Sequence, residues 1–369
     1  MRRREIVLLV IIVIVTVIVL FSIRKWNAVY SKMTDRTAAD VFSDTIVIED
    51  LPQHHIETEP RDLVPEDQFR AFNPSLTKLG DSLLYSFRVS NYIGCPNNSG
   101  KPNRNFATTI GNQVQSFTML SMGSNEAIYI DSPEYAYPKC VTGFEDPRMI
   151  TSPDGLNLII VSNSHSNASC YTEMHATTIP IKDIKEAFES KIKPKLLNVD
   201  ESQITRLYRM GFPTPVNNEK NWMPFFDHDD LMFVYTVNPH VILKCNTKTG
   251  ACSKVADTEN PNVNSKLRGS SQARLYNGKY VAIVHWRTSN SSYLSQAYTF
   301  EAKLPYKVLA LSPTFVIKAE GTKAQSLIQF VSGFEIYEDT AYITYGEEDC
   351  DSKLFKVSMT ALLKSMTPV

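Results

Sequence analysis

The chain has 369 residues, a formal net charge of −1 and 10% aromatic residues. Its near-neutral charge, with no long basic run, argues against nucleic acid as a partner. The aromatic fraction is too high for a disordered chain, so the chain is expected to fold. The length of residues 45–369 suits one large β domain, which we expect, or two smaller ones.

An apolar segment without any charged residue occupies residues 6–23. A bilayer core about 30 Å thick needs about 20 such residues in helical form. The segment is longer than the apolar region of a cleaved signal peptide, about 7–15 residues. Arg24 and Lys25 also follow it where a cleavage site needs small residues. We therefore expect a retained transmembrane anchor, with residues 1–5 as a cytoplasmic tail and residues 24–44 as a stalk.

The orientation of this anchor follows from the residues on either side of it. Arginines at positions 2 to 4 precede the segment, which favours a cytoplasmic N-terminus. All six cysteines lie after it, as do glycosylation sequons that begin at Asn97, Asn167 and Asn290. These features predict a single-pass type II membrane glycoprotein whose large domain lies in the secretory-pathway lumen or outside the cell.

Short runs of β-branched and aromatic residues, bounded by Gly, Asn, Asp or Pro, recur along the chain and are typical of strands. The predicted strands are residues 83–90, 114–122, 156–163, 231–237, 240–245, 279–287, 293–301, 333–338 and 340–345. Two residues separate residues 231–237 from residues 240–245, as in a hairpin. Cys245 and Cys252 flank a turn-rich segment, and we expect a disulfide that closes the hairpin there.

Helical periodicity is clear only at residues 181–192, and a second short helix is expected at residues 359–366. So few helices and so many short strands predict an all-β fold. The possible architectures are a pair of sandwiches, a large barrel or a propeller. No strong internal repeat is visible in the sequence to decide among them.

The first cluster with chemical potential is residues 143–148, where Glu145 and Asp146 are adjacent and Arg148 follows a proline. Two carboxylates in a rigid turn can hold sugar hydroxyls or act as acid and base. A salt-bridged turn is the structural alternative.

The second cluster contains Lys220, Asn221 and Trp222. An indole face beside polar donors suits a pyranose ring, which stacks through its C–H face and hydrogen-bonds at its rim. The alternative is a buried tryptophan with solvated charges around it.

Two further clusters are polar. Arg268 and Gln272 flank small residues near His285, and this combination could bind a phosphate or a sugar. Glu347 and Asp349 follow a predicted strand. The alternative for Arg268 and Gln272 is an ordinary polar loop. The alternative for Glu347 and Asp349 is a polar turn that bears a disulfide cysteine.

Together the motifs occur in a fixed order: Phe72-Asn-Pro-Ser75, Arg88, FEDPR at 144–148, EKNW at 219–222, Asn238-Pro-His240, RGSSQ at 268–272 and YGEEDC at 345–350. In this order they resemble the five-bladed β-propeller family of β-mannoside phosphorylases and mannosidases. They are more similar still to the membrane-anchored glycosyltransferase-like relatives of that family. The resemblance covers residues 70–358 and implies a five-bladed β-propeller whose motifs converge at one end of the central channel.

The resemblance also implies a role for each motif residue. Asp146 would be the general acid or a transition-state stabiliser, and Glu145 and Arg148 would complete the catalytic group. Expected substrate-binding residues are Asn73, Arg88, Lys220, Asn221, Trp222, His240, Arg268, Gln272, His285, Glu347 and Asp349. Among them, Arg268, Gln272 and His285 would lie where related phosphorylases receive phosphate.

The leading hypothesis is a membrane-anchored glycosyltransferase, with a β-mannosyl linkage implied by the resemblance. Its partners would be a glycan acceptor and a donor, either a nucleotide sugar or a sugar 1-phosphate, and no cofactor or metal is expected. A phosphorylase or hydrolase on the same fold is the close alternative, and a non-catalytic propeller that binds glycan or protein is another. A metal-dependent α/β transferase that uses Asp227, Asp229 and Asp230 is disfavoured by the scarcity of helices.

Overall fold

The computed structural model of the protein describes residues 36–43, 46–51, 70–90, 115–123, 126–131, 142–165, 171–192, 195–211, 218–289, 292–317 and 328–369. The predicted anchor at residues 6–23 and the three predicted glycosylation sites lie outside these ranges. Within the described ranges, no helix is long and apolar enough to cross a membrane.

The described part of the chain is mostly β-strand. In chain order the strands are β1 (Val47–Asp50), β2 (Arg70–Leu79), β3 (Ser82–Ser90), β4 (Gln115–Ser121), β5 (Ala127–Asp131), β6 (Thr142–Gly143), β7 (Glu145–Thr151), β8 (Asn157–His165), β9 (Thr172–Pro180), β10 (Leu196–Asn198), β11 (Ile204–Arg209), β12 (Met223–Asp227), β13 (Asp230–Thr236), β14 (His240–Cys245), β15 (Ala251–Thr258), β16 (Arg268–Gly269), β17 (Arg274–Tyr276), β18 (Lys279–Arg287), β19 (Tyr293–Glu301), β20 (Val308–Leu311), β21 (Gln329–Tyr337), β22 (Thr340–Glu347), β23 (Asp351–Ser358) and β24 (Thr367–Pro368). The helices are α1 (Ala38–Phe42), α2 (Ile181–Glu189) and α3 (Met359–Lys364), with a 3₁₀ turn at Glu201–Gln203.

These strands form four sheets. Their orders are β10-β5-β4-β3-β2, β12-β13-β14-β15-β11-β9-β8-β7, β16-β18-β19-β20-β24 and β1-β23-β22-β21, with β6 on β4 and β17 on β18. The eight-stranded sheet consists of two antiparallel halves that join through the parallel pairing of β11 and β15. The described chain thus contains five mainly antiparallel units. Strand β2 packs against β7 and β21, and β7 packs against β12, so the inner strands of the units meet in a β-propeller-like arrangement.

Strand β18 shows how the units pack against each other. Its side chains alternate between two cores, because successive residues of a strand point to opposite faces. Val281 and Ile283 belong to the core shared with the last sheet, whereas Ala282 and Val284 belong to the core shared with β12 and β13. Both faces are therefore buried, which explains the continuous apolar run in this strand.

Each predicted strand has a counterpart in the structure. The hairpin of β13 and β14 is confirmed by their antiparallel pairing, and the Cys245–Cys252 disulfide is confirmed as well. Several strands were not predicted, among them β5, β9, β11, β15 and β23 and the inner strands β2, β7 and β12. The last three have a visible reason. These strands contain Pro74, Pro147 and Pro224, and proline together with polar residues obscures the usual strand pattern.

Both predicted helices are present, whereas α1 was not predicted. Helix α3 lies where the second short helix was expected, and Ser358 caps it by accepting a hydrogen bond from the Ala361 amide at 3.1 Å. Helix α2 ends earlier than the predicted boundary at residue 192. Ser190 adopts an extended conformation with φ −58° and ψ 137°, and Ile192 is 77% exposed instead of sharing the buried face.

The predicted stalk must be shortened, because residues 36–43 pack on the folded domain. Thr37 caps α1 and forms a parallel bridge with Val316. The Phe42 ring is buried and lies 4.9 Å from the ring of Phe315 and 5.9 Å from that of Phe355. Strand β1 then adds to β23 as the outer strand of the last sheet. The folded domain therefore begins upstream of the predicted boundary at residue 45.

Candidate active site

The inner strands β2 and β7 carry the same local irregularity. A β-bulge interrupts the register between Phe72 and Ser75 in one strand, and between Glu145 and Arg148 in the other. Within each bulge a residue that precedes proline, Asn73 or Asp146, has a φ of 49°. Asparagine and aspartate tolerate this left-handed conformation better than most residues, and bulges redirect side chains. The two side chains meet, since Asn73 Nδ2 donates to Asp146 Oδ1 at 2.8 Å.

Arg88 on β3 joins two carboxylates. Its Nη1 donates to Asp146 Oδ1 at 3.3 Å, and its Nη2 donates to Glu145 Oε1. Its Nε donates to Ser116 Oγ at 3.3 Å, so every guanidinium nitrogen has a partner. Burial lowers the pKa of Arg88, but the charges of Glu145, Asp146 and Asp349 outweigh it and raise the pKa above its usual value. A single permanent cation therefore holds the acidic pair.

Both oxygens of the Glu145 carboxylate have partners among the described residues. Besides the Arg88 contact at Oε1, its Oε2 accepts from Asn163 Nδ2 at 3.0 Å and lies 3.5 Å from His165 Nε2. Burial raises the pKa of Glu145, but the Arg88 charge and the hydrogen bonds from His165 and Asn163 reverse this and lower it to about 2. Glu145 thus stays ionised, and the expected catalytic role is corrected to one of positioning Arg88.

Asp146 differs from Glu145 in its accessibility. Both hydrogen bonds to its carboxylate, from Asn73 and Arg88, go to Oδ1. Among the described residues none donates to Oδ2, and the side chain is 20% exposed. Asp146 is therefore a fixed carboxylate with one oxygen available to a reacting group, which is what a catalytic acid or base requires.

Arg148 lies directly beneath Asp146 and is fully buried. Its Nε donates to the Ser270 carbonyl, its Nη1 to the Asp146 carbonyl at 3.2 Å, and its Nη2 to Asn221 Oδ1 at 3.2 Å. The guanidinium carbon also lies 5.7 Å from the centroid of the Phe330 ring. Burial lowers the pKa of Arg148 to about 10, although the Asp146 charge opposes the shift. The group remains cationic at neutral pH, and its hydrogen-bond acceptors among the described residues are all neutral.

His285 on β18 continues this positively charged side of the site. Its Nδ1 lies 2.8 Å from Ser270 Oγ. Burial, followed by the positive charges of Arg148, Arg268 and Lys220, lowers the pKa of His285 to about 3. The imidazole is neutral at physiological pH, so the positive charge here comes from the arginines and the lysine. Arg268 and Lys220 are exposed, and Arg268 Nη1 donates to the carbonyls of Ser265 and Leu267.

Asp349 approaches the acidic pair from the turn after β22. Burial raises the pKa of Asp349 to about 6, and the negative charges of Asp146, Glu348 and Glu145 add to this while Arg88 opposes it. The turn is held by a hydrogen bond from the Cys350 amide to the Glu347 carbonyl at 3.0 Å, and Cys350 is disulfide-bonded. A carboxyl group that titrates near neutrality therefore lies in the electrostatic field of Asp146.

Trp222 is not a sugar platform in this structure. It is 1% exposed, and its ring packs at 5.5 Å from those of Phe233 and Tyr235. Its Nε1 donates to Glu219 Oε2 at 3.1 Å. The structural alternative, a buried tryptophan, therefore describes this residue, and the stacking role is corrected.

Three other expected binding residues serve the fold. His240 is 1% exposed, and its Nδ1 lies 2.7 Å from the Tyr306 carbonyl. Gln272 is fully buried, and its Nε2 donates to the Leu76 carbonyl at 2.6 Å, which ties inner strands together. Glu347 lies 3.0 Å from Lys353 Nζ in an ion pair. In the described part of the chain, none of these three has a hydrogen bond or ion pair with Asp146, Asn73, Arg88 or Glu145.

Sequence reasoning missed several members of the site. Asn163 and His165 reach Glu145 because β8 pairs with β7, with Asn163 directly opposite Glu145. Tyr293 and Phe330 pack against His285, with ring centroids 5.4 and 5.2 Å from the imidazole. The sequence did not reveal these residues, because β7 itself was not predicted and the register of its hairpin with β8 was therefore unknown.

The metal-dependent alternative has no structural support. Asp227 and Asp230 close the hairpin of β12 and β13, at the opposite end of β12 from Asn221. Asp227 Oδ2 accepts a hydrogen bond from the Tyr306 hydroxyl. In the part of the chain that the structure describes, no three or more His, Cys, Asp or Glu side chains are grouped to hold a metal ion. The mostly β architecture also contradicts an α/β transferase fold.

No protein-family model matches the chain. It is 31% identical over 153 residues to β-mannosyltransferase 3 of Candida albicans, a match that covers 38% of this chain and 24% of the relative. It is 28% identical over 141 residues to β-mannosyltransferase 1 of Komagataella phaffii, covering 35% of this chain and 19% of that relative. The matches thus span about a quarter or less of these relatives' lengths.

Among solved structures, the chain is similar to a β-1,2-mannobiose phosphorylase from Listeria innocua in complex with β-1,2-mannobiose. The TM-score is 0.55 with 12% identity, covering 87% of this chain and 99% of that one. At 12% identity, this structural similarity shows a shared fold and nothing more. The resemblance inferred from the motif order is therefore confirmed: the fold is that of a β-mannoside phosphorylase, and the sequence is similar to β-mannosyltransferases.

Proposed function

We propose that the chain is a carbohydrate-active enzyme, a glycosyltransferase that forms a β-mannosyl linkage on a glycan acceptor. The similarity to β-mannosyltransferases and the fold shared with a mannobiose phosphorylase support this proposal. In our proposal the five antiparallel units are the blades of a five-bladed propeller. Residues 6–23 anchor it in the membrane, with the propeller in the secretory lumen or outside the cell.

The geometry of Asp146 is the observation that carries the catalytic part of the proposal. Asn73 and Arg88 fix one carboxylate oxygen, and among the described residues nothing donates to the other. In the proposed reaction the acceptor hydroxyl oxygen attacks the anomeric carbon of the donor, and Oδ2 receives the hydroxyl proton. The bond between the anomeric carbon and the donor phosphate breaks, and the phosphate oxygen takes the electron pair. A single displacement of this kind inverts the anomeric centre, so an α-linked donor gives a β-linked product.

The positively charged side of the site supports an anionic donor. Arg148 is a buried cation whose hydrogen-bond acceptors are neutral, and the charges of Arg268 and Lys220 reach the adjacent His285. A departing phosphate or nucleoside diphosphate carries negative charge, and fixed cations stabilise such a group as the charge develops. The same cations could hold inorganic phosphate, which makes phosphorolysis of a β-mannoside the second candidate function.

One experiment separates the two reactions. The full-length chain in detergent is incubated with a mannan oligosaccharide and either GDP-mannose or mannose 1-phosphate, and separately with β-1,2-mannobiose with or without inorganic phosphate. Product analysis by mass spectrometry and NMR is expected to show a β-mannosyl addition from a donor. Phosphate-dependent release of mannose 1-phosphate would instead assign the chain as a phosphorylase. A folded protein that gives no product in any mixture contradicts both.

The proposed topology has its own test. Sealed microsomes that contain the chain with a C-terminal tag are treated with protease. Type II orientation predicts that the tag is protected until detergent is added, whereas digestion without detergent would refute it.

A further inference from the structure

Tyr293 lies at the edge of the candidate site and belongs to none of the motifs. It begins β19 and pairs with Arg287, the last residue of β18. The connection between the two strands is tied at its base, because the Thr288 amide donates to the Ser292 carbonyl at 2.9 Å and the Ser292 amide donates to Thr288 Oγ1 at 3.0 Å. The backbone of Tyr293 is therefore held firmly beside His285.

The ring of Tyr293 is also fixed. The His285 ring stacks on it with centroids 5.4 Å apart and an interplanar angle of 30°. The Phe330 ring meets it at 6.2 Å and 85°, and the guanidinium carbon of Arg287 lies 5.9 Å from its centroid. With neighbours on several sides, the ring has little freedom to rotate, so the direction of its hydroxyl is set before a substrate arrives.

The hydroxyl of Tyr293 nevertheless has no hydrogen-bond partner among the described residues. Tyrosine hydroxyls in packed surroundings usually find one. Other tyrosines of the same domain do: the Tyr276 hydroxyl donates to Asp339, and the Tyr280 hydroxyl donates to the Phe226 carbonyl at 2.7 Å. A fixed, half-buried donor that no described residue engages is free to bond a ligand.

The charges that act on the Tyr293 hydroxyl include those of residues to which the proposed reaction is assigned. Burial raises the pKa of Tyr293; Arg287 opposes this, while the charges of Asp349 and Asp146 add to it. Because these two carboxylates act on the phenol, it lies within their field and keeps its proton at physiological pH. The geometry agrees, because the Phe330 ring that packs on Tyr293 also lies 5.7 Å from the guanidinium carbon of Arg148, which bonds the Asp146 carbonyl. A neutral phenol in this position is able to donate to an oxygen of a bound substrate.

We propose that Tyr293 is a further substrate-binding residue, whose hydroxyl donates a hydrogen bond to a sugar oxygen held beside Asp146. This inference rests on the proposed function, because it assumes a hydroxyl-rich substrate at this end of the channel.

The test compares Tyr293→Phe with Tyr276→Phe in the full-length chain. Both substitutions remove only a hydroxyl, and Tyr276 lies at the far end of the domain, bonded to Asp339. Loss of a donor to a bound substrate is expected to lower kcat/KM of mannosyl transfer by roughly 10- to 100-fold, and to weaken β-1,2-mannobiose binding in calorimetry. Tyr276→Phe is expected to retain the wild-type values of both.

The outcomes separate this inference from the proposed function. If the wild type transfers mannose and Tyr293→Phe matches it, the hydroxyl has no role and the inference is wrong. If only Tyr293→Ala loses activity, the ring serves packing alone, which also overturns the inference. If the wild type neither transfers mannose nor binds β-1,2-mannobiose, the proposed function itself fails and the inference falls with it.

Discussion

A substitution at Gly346 tests whether the Asn73 clamp on Asp146 matters for function. Gly346 lies in β22 and has no left-handed backbone angle, so alanine is compatible with its conformation. A methyl group there would, however, lie 2.0 Å from Asn73 Oδ1 and 2.9 Å from the Asn73 amide nitrogen. Gly346→Ala therefore acts by steric pressure on the residue that holds Asp146.

The size of the effect follows from these distances. Non-bonded atoms in good contact lie about 3.5 Å apart, so the Asn73 amide must move by more than ~1 Å. This movement breaks the 2.8 Å hydrogen bond to Asp146 Oδ1. A hydrogen bond to a charged group contributes about 1.5–3 kcal/mol, and a 1 Å displacement at a catalytic group costs about 100-fold in rate. We expect kcat of Gly346→Ala to fall by about 100-fold.

The assay is mannosyl transfer by wild type, Gly346→Ala, Asn73→Ala and the double variant, with circular dichroism as a check of folding. Asn73→Ala removes the side-chain oxygen that lies 2.0 Å from the added methyl group, whereas the backbone nitrogen at 2.9 Å remains. The loss of activity in the double variant is therefore expected to be smaller than the sum of the two single losses. Wild-type kcat in Gly346→Ala, or fully additive losses in the double variant, would refute the clamp.

Two further predictions concern stability. Because burial raises the pKa of Asp349 from 3.8 to about 6, the folded state retains a proton that the unfolded chain releases, and wild type loses stability as the pH rises through 6. Asp349→Asn mimics the protonated form, so its urea midpoint is expected to exceed that of wild type at pH 8 and to match it below about pH 4; a lower midpoint at pH 8 would contradict this. Trp222→Ala removes a buried indole and is expected to cost about 3–5 kcal/mol of unfolding free energy in urea titrations. A Trp222→Ala protein of wild-type stability that fails to bind sugar would contradict this and indicate that Trp222 contacts the sugar.

The fold class was predictable because most middle strands of the units carry the β-branched and aromatic runs that strands favour. The inner strands β2, β7 and β12 were not predictable, because the residues that build the site break that pattern. In β2 and β7 the bulges at Asn73 and Asp146 place a proline and polar side chains inside a strand. The two bulges share only a polar residue followed by proline, Asn73-Pro74 in one and Asp146-Pro147 in the other. So short a repeat is not recognisable in the sequence alone.

The site itself was predictable only in part. The motif order identified Asn73, Arg88 and Asp146, which do meet. Residue type could not reveal direction: Asn221 reaches Arg148, whereas the next residue, Trp222, points into the core. Neighbouring residues of an extended chain face opposite sides, so a motif read as a unit mixes site residues with core residues.

The most direct test of the central claim is mannosyl transfer by Asp146→Asn, measured beside wild type and Asp154→Asn. Asp154 lies in the exposed turn between β7 and β8, so its variant makes the same chemical change at the other end of the same hairpin. If Asp146 is the catalytic acid or base, its variant should lose about 100- to 10,000-fold in kcat while remaining folded, and Asp154→Asn should match wild type. An Asp146→Asn protein within tenfold of wild-type kcat would contradict the account.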